Sequence, residues 1–246
     1  MARVSPAGAK KATAFVRIAS IRPAVVRIER GIVDPVVDGV FTPGLVPRAM
    51  TTGPTILAVS GSLRSESYTR TGLKYALRAA EEAGARTRLL DLQEYDLPLY
   101  DPDIDGQGDG DEVKRLVREA DAVALGTPVY HGSYSGALKN FHDYCGFDEY
   151  EDTTVGLLAT AGGGSYGSTL DHLRITVRGV HGWVLPHQVG IRSASGKFEA
   201  DPDAIDGRAF IDDSLRDRVE KLGRMLTDYA FIEPAVSSPR AADETE

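Results

Sequence analysis

Residues 55–69 read TILAVSGSLRSESYT, and the class of fold can be inferred from them. An apolar run that ends in small polar residues is typical of a buried strand, and an amphipathic pattern over 68–84 predicts the helix that follows. Four hydroxyl side chains, those of Ser62, Ser65, Ser67 and Thr69, lie with Arg64 around the loop and the start of the helix. The stretch therefore predicts one strand-loop-helix unit of an α/β sheet.

The same unit recurs along the rest of the chain. Further strands are predicted at 86–92, 122–128, 154–162 and 183–191, and further helices at 112–120, 136–145, 167–181 and 212–232. Five strands that alternate with five helices predict an open parallel sheet covered by helices on both faces. In such sheets ligands bind at the carboxyl ends of the strands, so the residues that follow each strand are the candidates for a site.

Composition limits the class of protein. The 246 residues are 42% hydrophobic and contain no run long enough to cross a membrane, and the net charge is -8. Residues 1–49 carry eight basic and three acidic side chains, which leaves 20 basic and 33 acidic in residues 50–246. The acidic part disfavours nucleic acid and anionic membranes as partners. The single cysteine, Cys145, excludes an internal disulfide and favours a cytoplasmic location with a buried, inert thiol.

The two ends of the chain differ from its middle. Prolines interrupt every short apolar stretch of residues 1–49, so we expect a disordered extension, with Met50 as an alternative initiator and a transit peptide as the second interpretation. Residues 50–235 are the predicted domain. The polar residues 236–246 are expected to form a disordered tail.

The loop after the first strand is suited to a phosphate group. Unpaired N–H groups at the start of a helix favour an anion, hydroxyls add donors, and Arg64 can hold two phosphate oxygens. The alternative is a Ser or Thr helix cap beside an exposed arginine. Four hydroxyls in eight residues exceed what capping requires. This loop has neither the glycine and lysine spacing of nucleoside triphosphate sites nor the glycine pattern of dinucleotide sites.

The third strand leads into a stretch without charge. Residues 122–138 carry no formally charged side chain in a chain that is 26% charged. A planar redox ring with polar edges packs well against small residues, aromatic faces and backbone amides. Tyr130 offers a face, and Gly132 and Gly136 permit close approach. Alone, the run also fits a buried strand with a tyrosine in its turn, but the neighbouring phosphate loop favours the ring.

The fourth strand ends in ATAGGGSYGS, residues 159–168, whose glycines could run under the same ring. Three strand ends therefore point to one ligand, with its phosphate at the first and its ring at the third and fourth.

These residues resemble the NAD(P)H-dependent FMN reductase family, a flavodoxin-like group that includes flavin, quinone, azo and chromate reductases. The phosphate motif Gly-Ser-x-Arg-x-x-Ser-x-Asn, with Thr69 in place of Asn, is met by Gly61, Ser62, Arg64 and Ser67. The ring motif is met by Thr127, Pro128, Tyr130, Ser133, Gly136, Leu138, Lys139 and Asn140. The sequence TPVYHGSYSGALK at 127–139 is most similar to that of flavin reductases that supply reduced flavin to sulfonate monooxygenases. Val129 and His131 replace the acidic residue and the Asn that are usual in the family.

The resemblance implies a parallel sheet of five strands in the order 2-1-3-4-5. It implies an enzyme that transfers a hydride from NAD(P)H to FMN and then two electrons to a second acceptor. The residues that it assigns to FMN are Ser62, Arg64, Ser67, Thr69, Pro128, Val129, Tyr130, His131, Gly132, Ser133, Ala161, Gly162 and Gly163. Because this chemistry belongs to the cofactor, no side chain is assigned as a catalytic acid or base and no metal is expected. His131 is a candidate proton donor beside the ring, but a loop histidine is more often simply solvated.

Three other functions remain open at this point. An FMN-bound quinone or azo reductase fits the same motifs, and a flavodoxin-type electron carrier fits the fold. A hydrolase is the rival from another reaction class, because GGSYG at 163–167 matches a nucleophile elbow. That motif needs an acid and a histidine downstream, and the last histidine, His187, follows Ser165 by only 22 residues.

Residues 101–112, DPDIDGQGDGDE, satisfy the sequence pattern of an EF-hand calcium loop. The prolines before this loop argue against the entering helix that an EF-hand requires. We therefore interpret it as an acidic surface loop.

The resemblance also implies a homodimer or homotetramer with the flavin near the subunit interface. The aromatic side chains that could form such a face, or else part of the core, are Tyr134, Phe141, Tyr144 and Phe147.

Overall fold

The computed structural model describes residues 53–232. Five strands form its main sheet, and they are β1 (Thr55–Ser60), β2 (Arg86–Asp91), β3 (Ala122–Pro128), β4 (Thr154–Ala161) and β5 (Trp183–Arg192). All neighbouring strands are parallel, and their order is β2-β1-β3-β4-β5. The predicted flavodoxin-like sheet, including its strand order, is confirmed.

Helices cover both faces of the sheet. They are α1 (Tyr68–Glu82), α2 (Gly110–Glu119), α3 (Gly136–Tyr144), α4 (Phe147–Tyr150), α5 (Gly167–Gly179) and α6 (Asp213–Asp228). One core cluster joins α1 and α6 to the sheet, and the other joins α2, α3, α4 and α5. The five predicted helices are present, but the last ends at Asp228 instead of 232, and the single turn α4 was not predicted.

The central strands β1, β3 and β4 are apolar on both sides because helices cover both sides. Every residue of β3 and β4 is buried. Successive residues of β1 alternate between the two clusters, since Ile56 packs with α1 and α6 whereas Leu57 packs with the helices of the opposite face. This burial explains the continuous apolar runs in the sequence.

A short hairpin between β5 and α6 was not predicted. It pairs the antiparallel strands β6 (Phe198–Ala200) and β7 (Arg208–Phe210) and packs against α1. The ring of Phe198 stacks on Tyr68 at a centroid distance of 5.5 Å, and Phe210 meets Tyr75 edge to face at 4.8 Å. The hairpin is therefore fixed to the helix that follows the first loop of the sheet.

Two of the four aromatic candidates for an interface lie in the core. Phe141 and Tyr144 are buried on α3, whereas Phe147 is 53% exposed and Tyr134 is partly buried. Cys145 is buried as predicted, and its burial raises the pKa of the thiol well above the ordinary value.

Several predictions concern residues that the structure does not describe. The extension 1–49, the alternative start at Met50 and the tail 236–246 all lie outside residues 53–232. Within the described part of the chain, no helix combines the length and the apolar character that a membrane span needs.

Candidate functional site

The loop 61–67 leaves the carboxyl end of β1 and is fixed at both ends. At its start, the Gly61 N–H donates to the carbonyl of Gly126 on β3 at 2.8 Å. At its end, Ser67 is the N-cap of α1, and its hydroxyl accepts a hydrogen bond from the Arg70 N–H at 3.1 Å. Ser62 and Ser67 are buried, whereas the residues between them are exposed. Capping therefore explains Ser67 but not the rest of the loop.

Donors in this loop are left without partners. Within residues 53–232, no acceptor is found for the backbone N–H groups of Ser62, Leu63, Ser65 and Glu66. The guanidinium of Arg64 is exposed, and it has no hydrogen bond or ion pair in the same part of the chain. Unpaired amides, a helix start and a free cation form an anion-binding arrangement.

A second arginine shapes the loop and was not singled out from the sequence. Arg70 donates to Asp91 at the end of β2 at 2.8 Å and also to the carbonyl of Ser65. Burial opposes the charge of Arg70, but the hydrogen bond to Asp91 and its negative charge outweigh burial and raise the pKa of the guanidinium. Arg70 is therefore occupied by protein groups, which leaves Arg64 as the free cation of the loop.

The residues after β3 form a tight turn. Tyr130 and Ser133 exchange backbone hydrogen bonds of 2.9 and 3.0 Å, and His131 and Gly132 between them have φ angles of 50° and 79°. Two consecutive positive φ values are the pattern of a type I′ turn, which glycine adopts without strain and histidine rarely adopts. Tyr130 is 50% exposed beside this turn. Its ring is thus presented at the surface on a rigid support.

Ser135 joins the first loop to the third strand end. Its hydroxyl donates to the carbonyl of Gly61 at 2.6 Å and accepts from the Leu138 N–H at 3.1 Å, as the N-cap of α3. Its own N–H donates to the Thr127 hydroxyl at 3.0 Å. A Cβ on Gly61 would lie only 2.7 Å from the Leu138 Cβ, so glycine is required for this close approach.

Helix α5 holds the turn from the other side. The Ser168 hydroxyl donates to the Gly132 carbonyl at 2.7 Å, and the Ser133 hydroxyl lies 3.1 Å from Nδ1 of His172. Ser168 and His172 are one helical turn apart, which places both on one side of α5. Sequence reasoning missed these two residues, because nothing in the spacing relates them to a turn more than thirty residues earlier.

The fourth strand ends in open glycines. Ala161 is buried, whereas Gly162 and Gly163 are exposed and a Cβ added at either position would meet no protein atom within 4 Å. Neither has a positive φ angle. No packing or backbone constraint of the described residues therefore requires glycine here.

Thr69 has a structural partner at the same strand end. Its hydroxyl is buried and lies 2.6 Å from the hydroxyl of Thr160 on β4. This contact joins the first turn of α1 to β4, and the Val129 N–H also donates to the Thr160 carbonyl at 2.8 Å. The loops after β1, β3 and β4 are thereby connected to one another, and every predicted cofactor residue lies in or beside one of them.

Residues of the two competing motifs make local contacts of their own. In loop 101–112 the Gln107 amide bonds to the backbone of Asp101 and Ile104, and residues 53–232 contain no group of three side chains that could hold a metal ion. The Ser165 hydroxyl accepts from the Gly167 N–H at 3.2 Å. Nε2 of His187, which a hydrolase would need near Ser165, bonds to the Arg218 carbonyl of α6 at 2.9 Å.

One cavity lies away from these loops. It is a surface groove of about 740 Å³ at the opposite end of β4 and β5, and its lining includes Arg178 of α5 and Trp183. We assign the site to the carboxyl ends of the strands, because the unpaired donors lie there and because parallel sheets bind ligands there.

Known proteins resemble both the sequence and the fold. The family described as NADPH-dependent FMN reductase matches residues 54–196. An FMN-dependent NADPH-azoreductase of Staphylococcus saprophyticus is 34% identical over 149 residues, which cover 57% of this chain and 78% of that protein. An NADPH azoreductase of a Bacillus species is 36% identical over 153 residues, or 59% of this chain and 83% of the relative.

A solved structure supports the fold. The flavoenzyme NAD(P)H:(acceptor) oxidoreductase of Paracoccus denitrificans superposes with a TM-score of 0.60 at 21% identity, over 72% of this chain and 97% of that one. The fold that the sequence predicted is thus the fold of a known flavoenzyme. The family match and the two relatives confirm the prediction that the chain is an oxidoreductase that uses FMN and NAD(P)H. The chain belongs to the NADPH-dependent FMN reductase family.

Proposed function

We propose that FMN binds across the carboxyl ends of β1, β3 and β4, with its phosphate in loop 61–67 and its ring between the turn 130–133 and the glycines after β4. The observation that carries this proposal is the set of unpaired donors around Arg64, because an anion is the ligand that such donors fit. The open glycines support it, since a flat ring can lie against a backbone that has no side chains.

The proposed contacts are those that the sequence suggested. Ser62, Arg64 and the loop amides hold the phosphate, while Ser67 and Thr69 fix the helix start behind it. The ring lies against a second set of residues, namely Pro128, Val129, Tyr130, His131, Gly132, Ser133, Ala161, Gly162 and Gly163.

Bound FMN supplies the redox chemistry, because its ring accepts a hydride and then gives up two electrons. The protein orients the ring and excludes water from one of its faces. The N–H groups of Gly132, Gly162 and Gly163 have no acceptor within residues 53–232, so they are free to stabilise negative charge on the reduced ring. No described side chain has to act as a general acid or base in this scheme.

We infer that NADPH is the hydride donor and that free FMN is one electron acceptor, in accordance with the name of the family. An azo compound is the second candidate acceptor, favoured because the relatives named above are azoreductases. Quinones belong to the same class of two-electron acceptors. Small molecules are thus the proposed partners, and the acidic composition disfavours nucleic acid.

We further propose a cytoplasmic homo-oligomer, a homodimer or a homotetramer. The single buried cysteine is compatible with a reducing compartment. Of the four aromatic candidates, Phe147 is the exposed one, so it is the residue that would contribute most to an interface. Sedimentation of the purified protein at micromolar concentration tests this, and a monomer alone would contradict it.

Steady-state oxidation of NADPH and NADH separates the candidate acceptors. FMN, an azo dye and a quinone are each offered to the same preparation, and bound flavin is measured by absorbance before and after gel filtration. Turnover with free FMN and loss of flavin on the column support the FMN reductase. Retained flavin with faster reduction of the azo dye or the quinone supports the FMN-bound azo or quinone reductase, and no turnover with any of the three acceptors contradicts both functions.

A further inference from the structure

Glu66 places a carboxylate in the loop that we assign to a phosphate. Its side chain is 76% exposed, and it lies two residues after Arg64 and directly before the helix cap Ser67. A carboxylate at such a position repels a phosphate and can also pair with a neighbouring arginine. The loop therefore needs some means of keeping Glu66 away from Arg64.

Arg208 on the unpredicted hairpin provides this means. Its guanidinium forms an ion pair with Glu66, lies over the Tyr68 ring at 5.1 Å and donates to the Thr71 hydroxyl at 3.3 Å. The Arg208 side chain is only 17% exposed, in contrast to that of Glu66. The contacts with Tyr68 and Thr71 hold the guanidinium on α1, so its position does not depend on Glu66 alone.

The same hairpin also forms ion pairs with Arg70 and Lys74 at the start of α1. Asp206 pairs with Lys74 at 2.6 Å and with Arg70 at 3.7 Å, and it accepts a hydrogen bond from the Thr71 hydroxyl at 3.0 Å. Burial alone would raise the pKa of the Asp206 carboxyl, but these hydrogen bonds and charges lower it, so the carboxylate stays ionised. Asp206 of the hairpin thus pairs with the cations of α1, and Arg208 of the hairpin pairs with Glu66 of the loop.

We propose that Arg208 is a positioning residue for the phosphate of FMN, because it holds the Glu66 carboxylate against α1 and so leaves Arg64 free. This inference rests on the proposed FMN site. Without Arg208, the freed carboxylate competes with the phosphate for Arg64. The effect is specific to a ligand that carries a phosphate, and it depends on the presence of Glu66.

Equilibrium titrations with FMN and riboflavin test this inference in wild type, Arg208→Gln, Glu66→Gln and the double variant. Arg208→Gln is expected to weaken FMN binding about threefold to fivefold, the scale of an exposed ion pair, and to leave riboflavin binding unchanged. Glu66→Gln binds FMN at least as tightly as wild type. When Glu66 is already replaced by Gln, the substitution Arg208→Gln should lower FMN affinity by less than about 1.5-fold, because no carboxylate remains to be held.

Two further variants control for charge and for folding. Arg208→Lys retains a cation and should keep most of the preference for FMN. Arg115→Gln removes an arginine that pairs with Glu112 and Glu119 on α2, and it should leave both titrations unchanged. The hydrogen bond from Tyr75 to this hairpin goes to the Arg208 carbonyl, at 2.8 Å, so the substitution retains it.

The outcomes distinguish a failure of the proposed role of Arg208 from a failure of the proposed FMN site. Equal losses for FMN and riboflavin, or the same loss with and without Glu66, overturn the positioning role while leaving the FMN site intact. If wild type itself shows no preference for FMN over riboflavin, the proposed phosphate loop is wrong and the role of Arg208 is wrong with it.

Discussion

The hydroxyl of Ser135 donates a hydrogen bond of 2.6 Å to the carbonyl of Gly61, and this contact fixes the distance between the two loops that we assign to one cofactor. The same hydroxyl caps α3. Both partners are buried, so no water can replace the lost hydroxyl at little cost. A single side chain thus connects the proposed phosphate loop to the proposed ring loop.

We expect Ser135→Ala to lower the free energy of unfolding by about 2–3 kcal/mol, which combines a lost helix cap with a buried carbonyl left without its donor. Flavin affinity should fall as well, because the two loops are no longer held together. Urea denaturation measures the first effect and flavin titration the second. Ser214→Ala on α6, where an exposed hydroxyl donates to Asp212, is the control and should lower the free energy of unfolding by less than about 0.5 kcal/mol. An equal change in both variants would refute the role of Ser135.

The sheet could be predicted because its central strands carry long apolar runs. Strands β1, β3 and β4 are buried over nearly their whole length, and β1 and β4 are followed by small polar residues, so the hydrophobic pattern and the strand ends agree. The edge strands β2 and β5 are partly exposed. The hairpin 198–210 could not be predicted. Its strands have three residues each, which is too short for an alternating pattern, and its stability comes from rings such as Phe198 packing on α1.

The loops of the site could be located from the sequence, but their contacts could not. Arg64 and Tyr130 belong to short motifs whose residues are close together in the sequence, so they can be recognised without a structure. The hydroxyl pair of Thr69 and Thr160 and the bond from Ser168 to Gly132 link residues that are far apart in the chain. Such contacts depend on how strand ends are aligned in the folded sheet, and residue spacing carries no information about that alignment.

Gly162→Ala tests the open backbone after β4. Since an added Cβ meets no protein atom and the φ angle is not positive, the folded protein should be unchanged or stabilised by up to about 1 kcal/mol. If the ring lies here, the methyl group displaces it, and we expect flavin affinity to fall by about tenfold. Gly179→Ala at the end of α5 is equally open and should leave flavin binding unaltered. Unchanged affinity in Gly162→Ala would remove this loop from the site.

His142 should make the stability of the fold depend on pH. It is buried on α3, its Nδ1 has no hydrogen-bond partner within residues 53–232, and burial lowers the pKa of its ring below the ordinary 6.5. The unfolded chain therefore takes up a proton at a higher pH than the folded chain. The neutral His142 ring makes its full contribution to the free energy of unfolding above about pH 6.5. This contribution decreases as the pH falls, by at most about 1.4 kcal/mol per pH unit.

The free energy of unfolding between pH 8 and pH 5 measures this effect. His142→Gln should show a shallower loss than wild type below pH 6.5, even if it is less stable at pH 8. Parallel curves for wild type and His142→Gln would show that the acid sensitivity arises elsewhere.

Arg64 provides the most direct test of the phosphate loop. Its guanidinium is exposed and has no ion pair within residues 53–232, so its removal should change the stability of the fold by no more than about 0.5 kcal/mol. If it holds the phosphate, Arg64→Ala loses charge-assisted hydrogen bonds of about 1.5–3 kcal/mol, and FMN affinity falls roughly tenfold to a hundredfold. Riboflavin lacks the phosphate, so its affinity should hardly change. Arg64→Lys keeps the charge but not the bidentate geometry, so its FMN affinity should lie between those of wild type and Arg64→Ala. Equal losses for FMN and riboflavin, or no loss for either, would mean that the phosphate lies elsewhere than at the end of β1.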